Sequence, residues 1–276
     1  MTSELLTFPI RGRKLSMSVE VRKTLFREQS AFQEIEIIDT EVFGRALLLD
    51  RHIQLTELDE EAYHECLVDI PMLSLSAPKR ALIVGGGDGG VLRQLCRHSS
   101  LERIDMVEID QMVIDACEKH FPISKGAFQD KRLSLHVEDA FQFVKRAEQP
   151  YDLIVMDSTD TYEGEDGALS EQLFTESFYR DCARLLKPEG LLVTQADNLL
   201  FCPYSLDEIR AQYGRVFPHV QSYWGIVPSF GGFSGFCVAS HGVKLAASPD
   251  FGRVKLTYLN TQTYNLAFQP LPFAKL

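Results

Sequence analysis

The sequence lacks the patterns that mark zinc-binding, disulfide-stapled and secreted proteins. Its six cysteines form no C-x-x-C pair, so neither a metal site nor a disulfide framework is predicted. No run of about eighteen apolar residues occurs, and the first residues mix charges without the apolar segment of a signal peptide. We therefore expect a soluble chain of the reducing cytoplasm that is neither secreted nor membrane-spanning.

Basic residues are fewer than acidic residues. The chain has 28 lysine and arginine residues against 39 aspartate and glutamate residues, a formal net charge of −11 at pH 7. A nucleic-acid partner requires a basic surface that neutralises phosphates, so no nucleic-acid partner is expected. The acidity suits a cationic small-molecule substrate, although solubility alone would also account for it.

Two regions with different patterns share the 276 residues. Residues 16–56 alternate or cluster as β-formers and predict a small antiparallel unit, whereas residues 59–73 carry apolar side chains at helical spacing. The boundary near residue 57 predicts an N-terminal β domain, 1–57, followed by a larger catalytic domain, 58–276.

The larger region repeats a unit of apolar strand, loop and amphipathic helix. Short apolar strands separated by helices predict a mostly parallel sheet covered on both faces, and residues 220–227 and 235–240 predict an antiparallel edge. The fold class is therefore α/β, a Rossmann-like sheet with a small N-terminal antiparallel β domain. The five apolar runs are residues 81–84, 104–107, 133–137, 153–156 and 191–194.

A glycine turn follows the first apolar run, at the edge of the sheet where ligands bind in such folds. Gly85, Gly86 and Gly87 allow a ligand to approach the backbone closely. Glu108 follows the next run, about twenty residues further on, where a carboxylate can accept both ribose hydroxyls. Together they predict a transferase that binds an adenosyl-type nucleotide.

Asp88 within this turn narrows the choice of nucleotide. A carboxylate at this point would repel the pyrophosphate of a dinucleotide such as NAD, and it would also repel the carboxylate of S-adenosylmethionine. Decarboxylated S-adenosylmethionine, whose tail carries an amine and a sulfonium, suits Asp88 better. It is expected as a co-substrate, with no tightly bound cofactor.

Acidic residues also end the third and fourth apolar runs. Asp139 could accept a hydrogen bond from an adenine amino group or cap the following helix. Asp157 and Asp160 predict acid–base chemistry on an amine, since one carboxylate can accept the proton of an ammonium group while the other anchors the remaining charge. Capping of a turn is the alternative for this pair.

Four motifs follow one another along the chain: Gln54-x-Thr56-Glu57-x-Asp59-Glu60-x-x-Tyr63-His64-Glu65, the glycine turn with Val91-Leu92-Arg93, Val107-Glu108-Ile109-Asp110, and Asp157-Ser158-Thr159-Asp160. In this order they resemble the spermidine synthase (polyamine aminopropyltransferase) family, over roughly residues 26–240. The resemblance implies a methyltransferase-type Rossmann-like domain and a homodimer. It also implies transfer of the aminopropyl group of decarboxylated S-adenosylmethionine to putrescine, with release of methylthioadenosine.

The resemblance further implies roles for single residues. Asp157 would accept the proton with help from Tyr63, and Asp88 would hold the amine of the transferred group. The nucleoside would be bound by Gln33, Glu108, Asp139 and Ala140 together with Gly85, Gly86 and Gly87. The amine would be bound by Gln54, Tyr63, His64, Asp157, Asp160, Gln195 and Phe230. A buried structural histidine is the alternative for His64, and plain β-surface roles are the alternatives for Gln33 and Gln54.

Departures from the family pattern are concentrated where the acceptor amine should bind. Thr161 replaces a usual proline and precedes an acidic stretch, residues 163–166, and Phe230 replaces a tyrosine whose hydroxyl could meet an amine. The N-terminal tryptophan common in the family is missing, and Trp224 is the only tryptophan. The preferred amine stays open, although the extra acidic charge would favour a longer polyamine.

Two other functions stay open. One is methyl transfer from S-adenosylmethionine to an amine, against which Asp88 and the acidic pair argue. The other is a catalytically silent relative that binds nucleoside or polyamine, against which the presence of both Tyr63 and Asp157 argues.

Overall fold

The structure, a computed structural model, describes residues 4–10, 15–158 and 173–271. Asp160, Thr161 and the acidic stretch 163–166, all predicted to lie near the acceptor amine, fall outside these ranges. Within them, no helix is both long enough and apolar enough to cross a membrane.

The N-terminal sheet is antiparallel throughout. Its strands are β1 (Glu4–Ile10), β2 (Leu15–Gln29), β3 (Glu34–Thr40), β4 (Gly44–Leu49) and β5 (His52–Thr56), paired in sequence order. Buried and exposed side chains alternate along β1 and the first half of β2, so one face packs on an apolar cluster that includes Phe8, Val19 and Ile38. The sheet begins earlier than predicted, at β1. This strand contains Pro9, and proline argues against a strand in general but is tolerated in an edge strand.

The second sheet has seven strands and is mostly parallel. The strands are β6 (Arg80–Gly85), β7 (Arg103–Glu108), β8 (Leu133–Val137), β9 (Tyr151–Asp157), β10 (Leu186–Gln195), β11 (His219–Val227) and β12 (Gly232–Ser240). Their order is β11-β12-β10-β9-β6-β7-β8, with β11 and β12 antiparallel as predicted. Because β6 lies between β7 and β9, a crevice opens at its carboxyl end, where such sheets bind ligands. The predicted α/β class is confirmed.

The α-helices of the described residues are α1 (Glu60–His64), α2 (Ile70–Met72), α3 (Gly90–Arg97), α4 (Gln111–His120), α5 (Ala140–Arg146), α6 (Glu176–Leu185), α7 (Pro203–Val216) and α8 (Thr261–Ala267). Of these, α3 to α6 connect the parallel strands. The helix predicted over residues 59–73 is present, but a π-helical turn, Glu65–Asp69, joins α1 to α2. This turn buries Glu65, whose carboxylate accepts the backbone N–H groups of Thr257, Tyr258 and Leu259.

Strand β8 differs from the expectation of strands covered on both faces. Leu135 and Val137 are 37% and 46% exposed, whereas the central strands β6 and β9 are almost fully buried. The reason is position, since β8 pairs only with β7 and forms the edge of the sheet. An apolar run alone does not distinguish a central strand from an edge strand.

Candidate active site

A cavity of about 310 Å³ opens at the carboxyl ends of β6, β7 and β9. One wall is the glycine turn and the ends of these parallel strands, as predicted from the sequence. The opposite wall comes from the N-terminal sheet and the loop before β3. The predicted site residues that line it are Gln33, Gln54, Tyr63, Gly85, Gly86, Gly87, Asp88, Glu108, Asp139, Ala140, Asp157, Gln195 and Phe230.

The glycine turn packs directly on the end of β9. Gly85 has a φ of +81°, and a Cβ atom there would lie 2.3 Å from the carbonyl oxygen of Asp157. The backbone N–H of Gly86 donates to the same oxygen over 2.9 Å. Glycine is therefore required at position 85 both by backbone conformation and by space. The contacts of the turn with the Asp157 carbonyl oxygen fix the position of Asp157 at the carboxyl end of β9.

Glu108 is partly buried at the end of β7. Its carboxylate accepts the backbone N–H groups of Gly87 over 3.1 Å and of Asp110 over 2.9 Å. Burial nevertheless raises the pKa of Glu108 to about 7. A carboxylate with this pKa gains from further hydrogen-bond donors, and two ribose hydroxyls would supply them.

Gln33 reaches the cavity because its loop is tied to the start of α4. Asp110 caps α4 through the N–H of Met112 and accepts hydrogen bonds from Ser30 Oγ over 2.6 Å and Gln33 Nε2 over 3.1 Å. This contact joins the N-terminal sheet to the carboxyl-end edge of the second sheet.

Asp139 caps a helix and also lines the cavity, so the contact with an adenine amino group stays a prediction. Its Oδ1 accepts the N–H of Phe141 over 2.8 Å and so caps α5, and the residue also lines the cavity together with Ala140, the first residue of that helix. A cap and a ligand contact are compatible, since a carboxylate has two oxygens.

Asp157 and Tyr63 form the central polar pair of the cavity. Tyr63 Oη donates to Asp157 Oδ1 over 2.6 Å. Burial, followed by the nearby charge of Asp88, raises the pKa of Asp157 to about 6, although Tyr63 and His64 act in the opposite direction. Its pKa is thus raised toward neutrality, which suits a group that accepts a proton at neutral pH.

Asp88 lies beside this pair. Its Oδ1 accepts the N–H of Gly90 over 2.6 Å. Burial alone would raise the pKa of Asp88, but His64, the backbone N–H of Gly90 and the charge of Arg93 together hold that pKa below the usual range. One atom each of His64, Asp88 and Asp157 lies within 4.8 Å of the others, so the two acids form one site for a small cation such as an ammonium group.

His64 does not line the cavity, which corrects the expectation that it binds the amine directly. Its side chain is completely buried behind Asp88, and its Nδ1 donates to Glu60 Oε2 over 3.0 Å. Burial would lower the pKa of His64, but the negative charges of Asp88 and Glu60 raise it to about 10. The ring is therefore an imidazolium that acts on the site through Asp88. A Cβ atom on Gly90 would lie 2.0 Å from this ring.

Amides and an aromatic ring also line the cavity. Gln195 Nε2 donates to the carbonyl oxygen of Ser158, and Gln195 Oε1 accepts the N–H of Asp197. Phe230 packs edge-on against Tyr63, with ring centroids 5.5 Å apart. Gln54 also lines this region, whereas Asp160 lies outside the described residues.

Sequence reasoning missed several residues at the site. Glu60 and Arg93 were quoted only as parts of motifs, yet they form a paired fork beneath His64. Ser234 lines the cavity with its Oγ buried and without a hydrogen-bond partner in the described part of the chain. No signal in one sequence marks this serine, because its strand β12 reaches the cavity only through its position between β11 and β10 in the sheet. The other unpredicted lining residues are Phe32, Leu47, Leu49, Asp50, Val84, Val107, Ile109, Val113, Glu138, Ser158 and Leu173.

Comparisons with known proteins agree over most of the chain. A family model described as the spermine/spermidine synthase domain matches residues 60–247, and one described as the spermidine synthase tetramerisation domain matches residues 9–57. A polyamine aminopropyltransferase of Alkaliphilus metalliredigens is 38% identical over 260 residues, covering 91% of this chain and 90% of the relative. A spermine synthase of Arabidopsis thaliana is 41% identical over 225 residues, covering 81% of this chain and 61% of the relative. The crystal structure of a spermidine synthase in complex with the transition state analogue AdoDATO has a TM-score of 0.91 at 27% identity, covering 98% of this chain and 93% of that one.

Proposed function

The chain belongs to the spermine/spermidine synthase family, and we propose that it transfers the aminopropyl group of decarboxylated S-adenosylmethionine to putrescine or a related di- or triamine, releasing methylthioadenosine. The resemblance found in the four motifs is confirmed, and the chain is an aminopropyltransferase. The donor, the acceptor and the roles of single residues are the proposal.

One observation carries the residue roles. Tyr63 Oη donates to Asp157 Oδ1 over 2.6 Å, and Asp88 lies beside this pair in the same buried acidic site. Two carboxylates with different environments can divide the work. Asp88, whose pKa is lowered, is suited to hold a permanent cation, and Asp157, whose pKa is raised to about 6, is suited to accept a proton.

The proposed reaction is an in-line displacement. Asp157 takes a proton from the attacking ammonium group, and the freed lone pair attacks the propyl carbon next to the sulfonium. The C–N bond forms as the C–S bond breaks, and the bonding pair stays on sulfur, so that methylthioadenosine leaves uncharged. The positive charge ends on the new secondary ammonium. The raised pKa of Asp157 narrows the gap to an amine with a pKa near 10.4.

The acceptor is the finer part of the proposal. Gln54, Gln195 and Phe230 are proposed to line the amine channel. The related proteins carry names that refer to different products, spermidine and spermine, which are formed from acceptors of different length. We therefore take putrescine as the first candidate and a longer polyamine as the second.

The test is a substrate panel read by mass spectrometry. Purified protein is incubated with decarboxylated or with intact S-adenosylmethionine and with putrescine, cadaverine, spermidine or no amine. Aminopropylated amine and methylthioadenosine, formed only from the decarboxylated donor, are expected. Methylated amine formed only from the intact donor would identify an N-methyltransferase instead, and nucleoside binding without any product would identify a silent relative.

We also propose the setting in which the enzyme works. A homodimer is the smallest assembly expected, and the match of residues 9–57 to a tetramerisation domain makes a tetramer the second candidate. Sedimentation measurements distinguish the two assemblies.

The division into a β domain, 1–57, and a catalytic domain, 58–276, is part of the proposal. A cytoplasmic location is supported by the six cysteines, all within the described ranges, which form no disulfide.

A further inference from the structure

A row of alternating charges runs from the surface of α3 to the cavity. Arg93 Nη1 and Nη2 donate to the two oxygens of Glu60 over 2.8 and 2.6 Å. Glu60 Oε2 accepts from His64 Nδ1 over 3.0 Å, and His64 faces Asp88, which lines the cavity. The row is positive, negative, positive, negative, and an ammonium group bound at Asp88 would continue it.

The last link in this row is incomplete. His64 Nε2 lies 3.6 Å from Asp88 Oδ1, beyond hydrogen-bond distance, and it is buried with no hydrogen-bond partner in the described residues. The same ring makes a 3.0 Å hydrogen bond on its other side, to Glu60. A completely buried N–H without a partner is costly, so the surrounding structure must hold the ring in this position.

Glu60 is the group that holds it. The Glu60 side chain is 5% exposed and is clamped by both guanidinium nitrogens of Arg93, itself only 18% exposed. This two-bond fork fixes the carboxylate plane as a single contact would not. The fixed carboxylate then holds the His64 ring against its own helix, α1, through the Nδ1–Oε2 hydrogen bond.

We propose that Glu60 and Arg93 are positioning residues that hold the His64 ring toward Glu60 and short of Asp88, which keeps the Asp88 carboxylate available to the ammonium group of the aminopropyl donor. Asp88 Oδ1 lies within ion-pair distance of His64 Nε2, 3.6 Å, yet it accepts no hydrogen bond from that ring. The inference rests on the proposed function, because it assigns the donor to Asp88. It predicts that loss of Glu60 lets the ring close on Asp88 and compete with the donor.

The same helix offers a matched control. Arg97, one turn after Arg93 on α3, makes an equivalent fork with Glu61, over 3.1 and 3.3 Å. Within the described ranges, Arg97 and Glu61 make no hydrogen bond or ion pair with His64, although Glu61 also lies 3.3 Å from Arg93 Nη1. A purely structural contribution from an α1–α3 ion pair should therefore be similar for Arg93→Gln and Arg97→Gln, whereas a positioning role should separate them.

The experiment measures two dissociation constants by calorimetry, one for decarboxylated S-adenosylmethionine and one for methylthioadenosine, which lacks the aminopropyl ammonium. Glu60→Gln and Arg93→Gln are expected to weaken binding of the donor by about tenfold, as the loss of groups that orient a binding residue does, and to change methylthioadenosine binding less than twofold. Arg93→Lys, which keeps the charge but loses the fork, should recover part of the donor affinity. The double variant should be no weaker than the worse single variant, because both act through one ring.

Three results would overturn the inference: unchanged donor binding in Glu60→Gln, equal weakening of both ligands, or an Arg97→Gln variant that behaves like Arg93→Gln. Methylthioadenosine binding reports whether each variant is folded. The proposed function fails separately, if wild-type protein makes no aminopropylated product from the donor and any amine in the panel.

Discussion

Asp157 can serve as a proton acceptor only while it is ionised, and its burial decides when that is. The carboxylate sits in a closed crevice with Tyr63 as hydrogen-bond donor. A positioned general base contributes about 10²- to 10⁴-fold to a rate. The nucleoside, by contrast, is expected to be held by other side chains.

We therefore expect Asp157→Asn to lower kcat by at least about a hundredfold and to change methylthioadenosine affinity by no more than a few fold. Single-turnover rates and calorimetry measure the two quantities on the same preparation. Wild-type-like turnover in this variant would remove Asp157 from the proton-acceptor role.

Glu108 gives a pH dependence to nucleoside binding. Its pKa is about 7 in the free protein because of burial, and ribose hydroxyls donate to the ionised form. Methylthioadenosine affinity should thus be constant at high pH and fall below pH 7, by up to about tenfold per pH unit. Calorimetry from pH 5.5 to 8.5 measures this.

The matched variant for that series is Glu108→Gln, which cannot ionise. It should bind more weakly at pH 8.5 and show no decline between pH 7 and 5.5. A wild-type affinity that stays flat across the range would contradict the assignment of Glu108 to the ribose.

At the scale of elements, α1 and α3 must approach closely for His64 to sit behind Asp88. Gly90 permits this approach, since a Cβ atom there would lie 2.0 Å from the His64 ring. Its requirement comes from space next to another helix, whereas Gly85 is required by its own positive φ as well. The two glycines look alike in the sequence and serve different contacts.

Gly90→Ala should cost about 1–3 kcal/mol of unfolding free energy, because the ring or the helix must shift. It should also weaken donor binding more than methylthioadenosine binding. Gly214 on α7 has no heavy atom within 4 Å of its ideal Cβ position, so Gly214→Ala should stabilise the helix by about 0.5–1 kcal/mol. Urea unfolding compares the two, and an equally tolerated Gly90→Ala would contradict the close packing.

Strand ends made much of the site predictable from the sequence. Gly85, Glu108 and Asp157 each follow an apolar run, and the carboxyl ends of parallel strands meet at one edge of the sheet. The contacts among Arg93, Glu60 and His64 were not predictable, because they depend on how two helices pack. Strand β1 was not predictable, because it contains Pro9 and proline argues against a strand. The apolar run of β8 does not distinguish an edge strand from a central one.

At the scale of the whole molecule, the net charge of −11 surrounds a site that is itself acidic. Cationic amines are attracted to such a protein over a distance of about one Debye length, 10 Å at 0.1 M salt. The nucleoside product carries no charge and gains nothing from this field.

The KM for the acceptor amine should accordingly rise several-fold between about 0.05 and 0.5 M salt, while kcat changes little. Steady-state kinetics at constant pH measure both, and methylthioadenosine affinity, expected to stay within twofold, is the control for general salt effects. An acceptor KM that is independent of salt would show that long-range attraction is unimportant.

The cavity wall supplied by Gln33, Leu47 and Leu49 has a consequence for recombination between relatives. A chimaera that exchanges residues 1–57 would keep every acid of the second sheet but inherit half of a foreign nucleoside pocket. Sequence drift in the two parts is therefore coupled, and a crossover near residue 57 should succeed only between parents whose loop before β3 still reaches the Asp110 cap of α4.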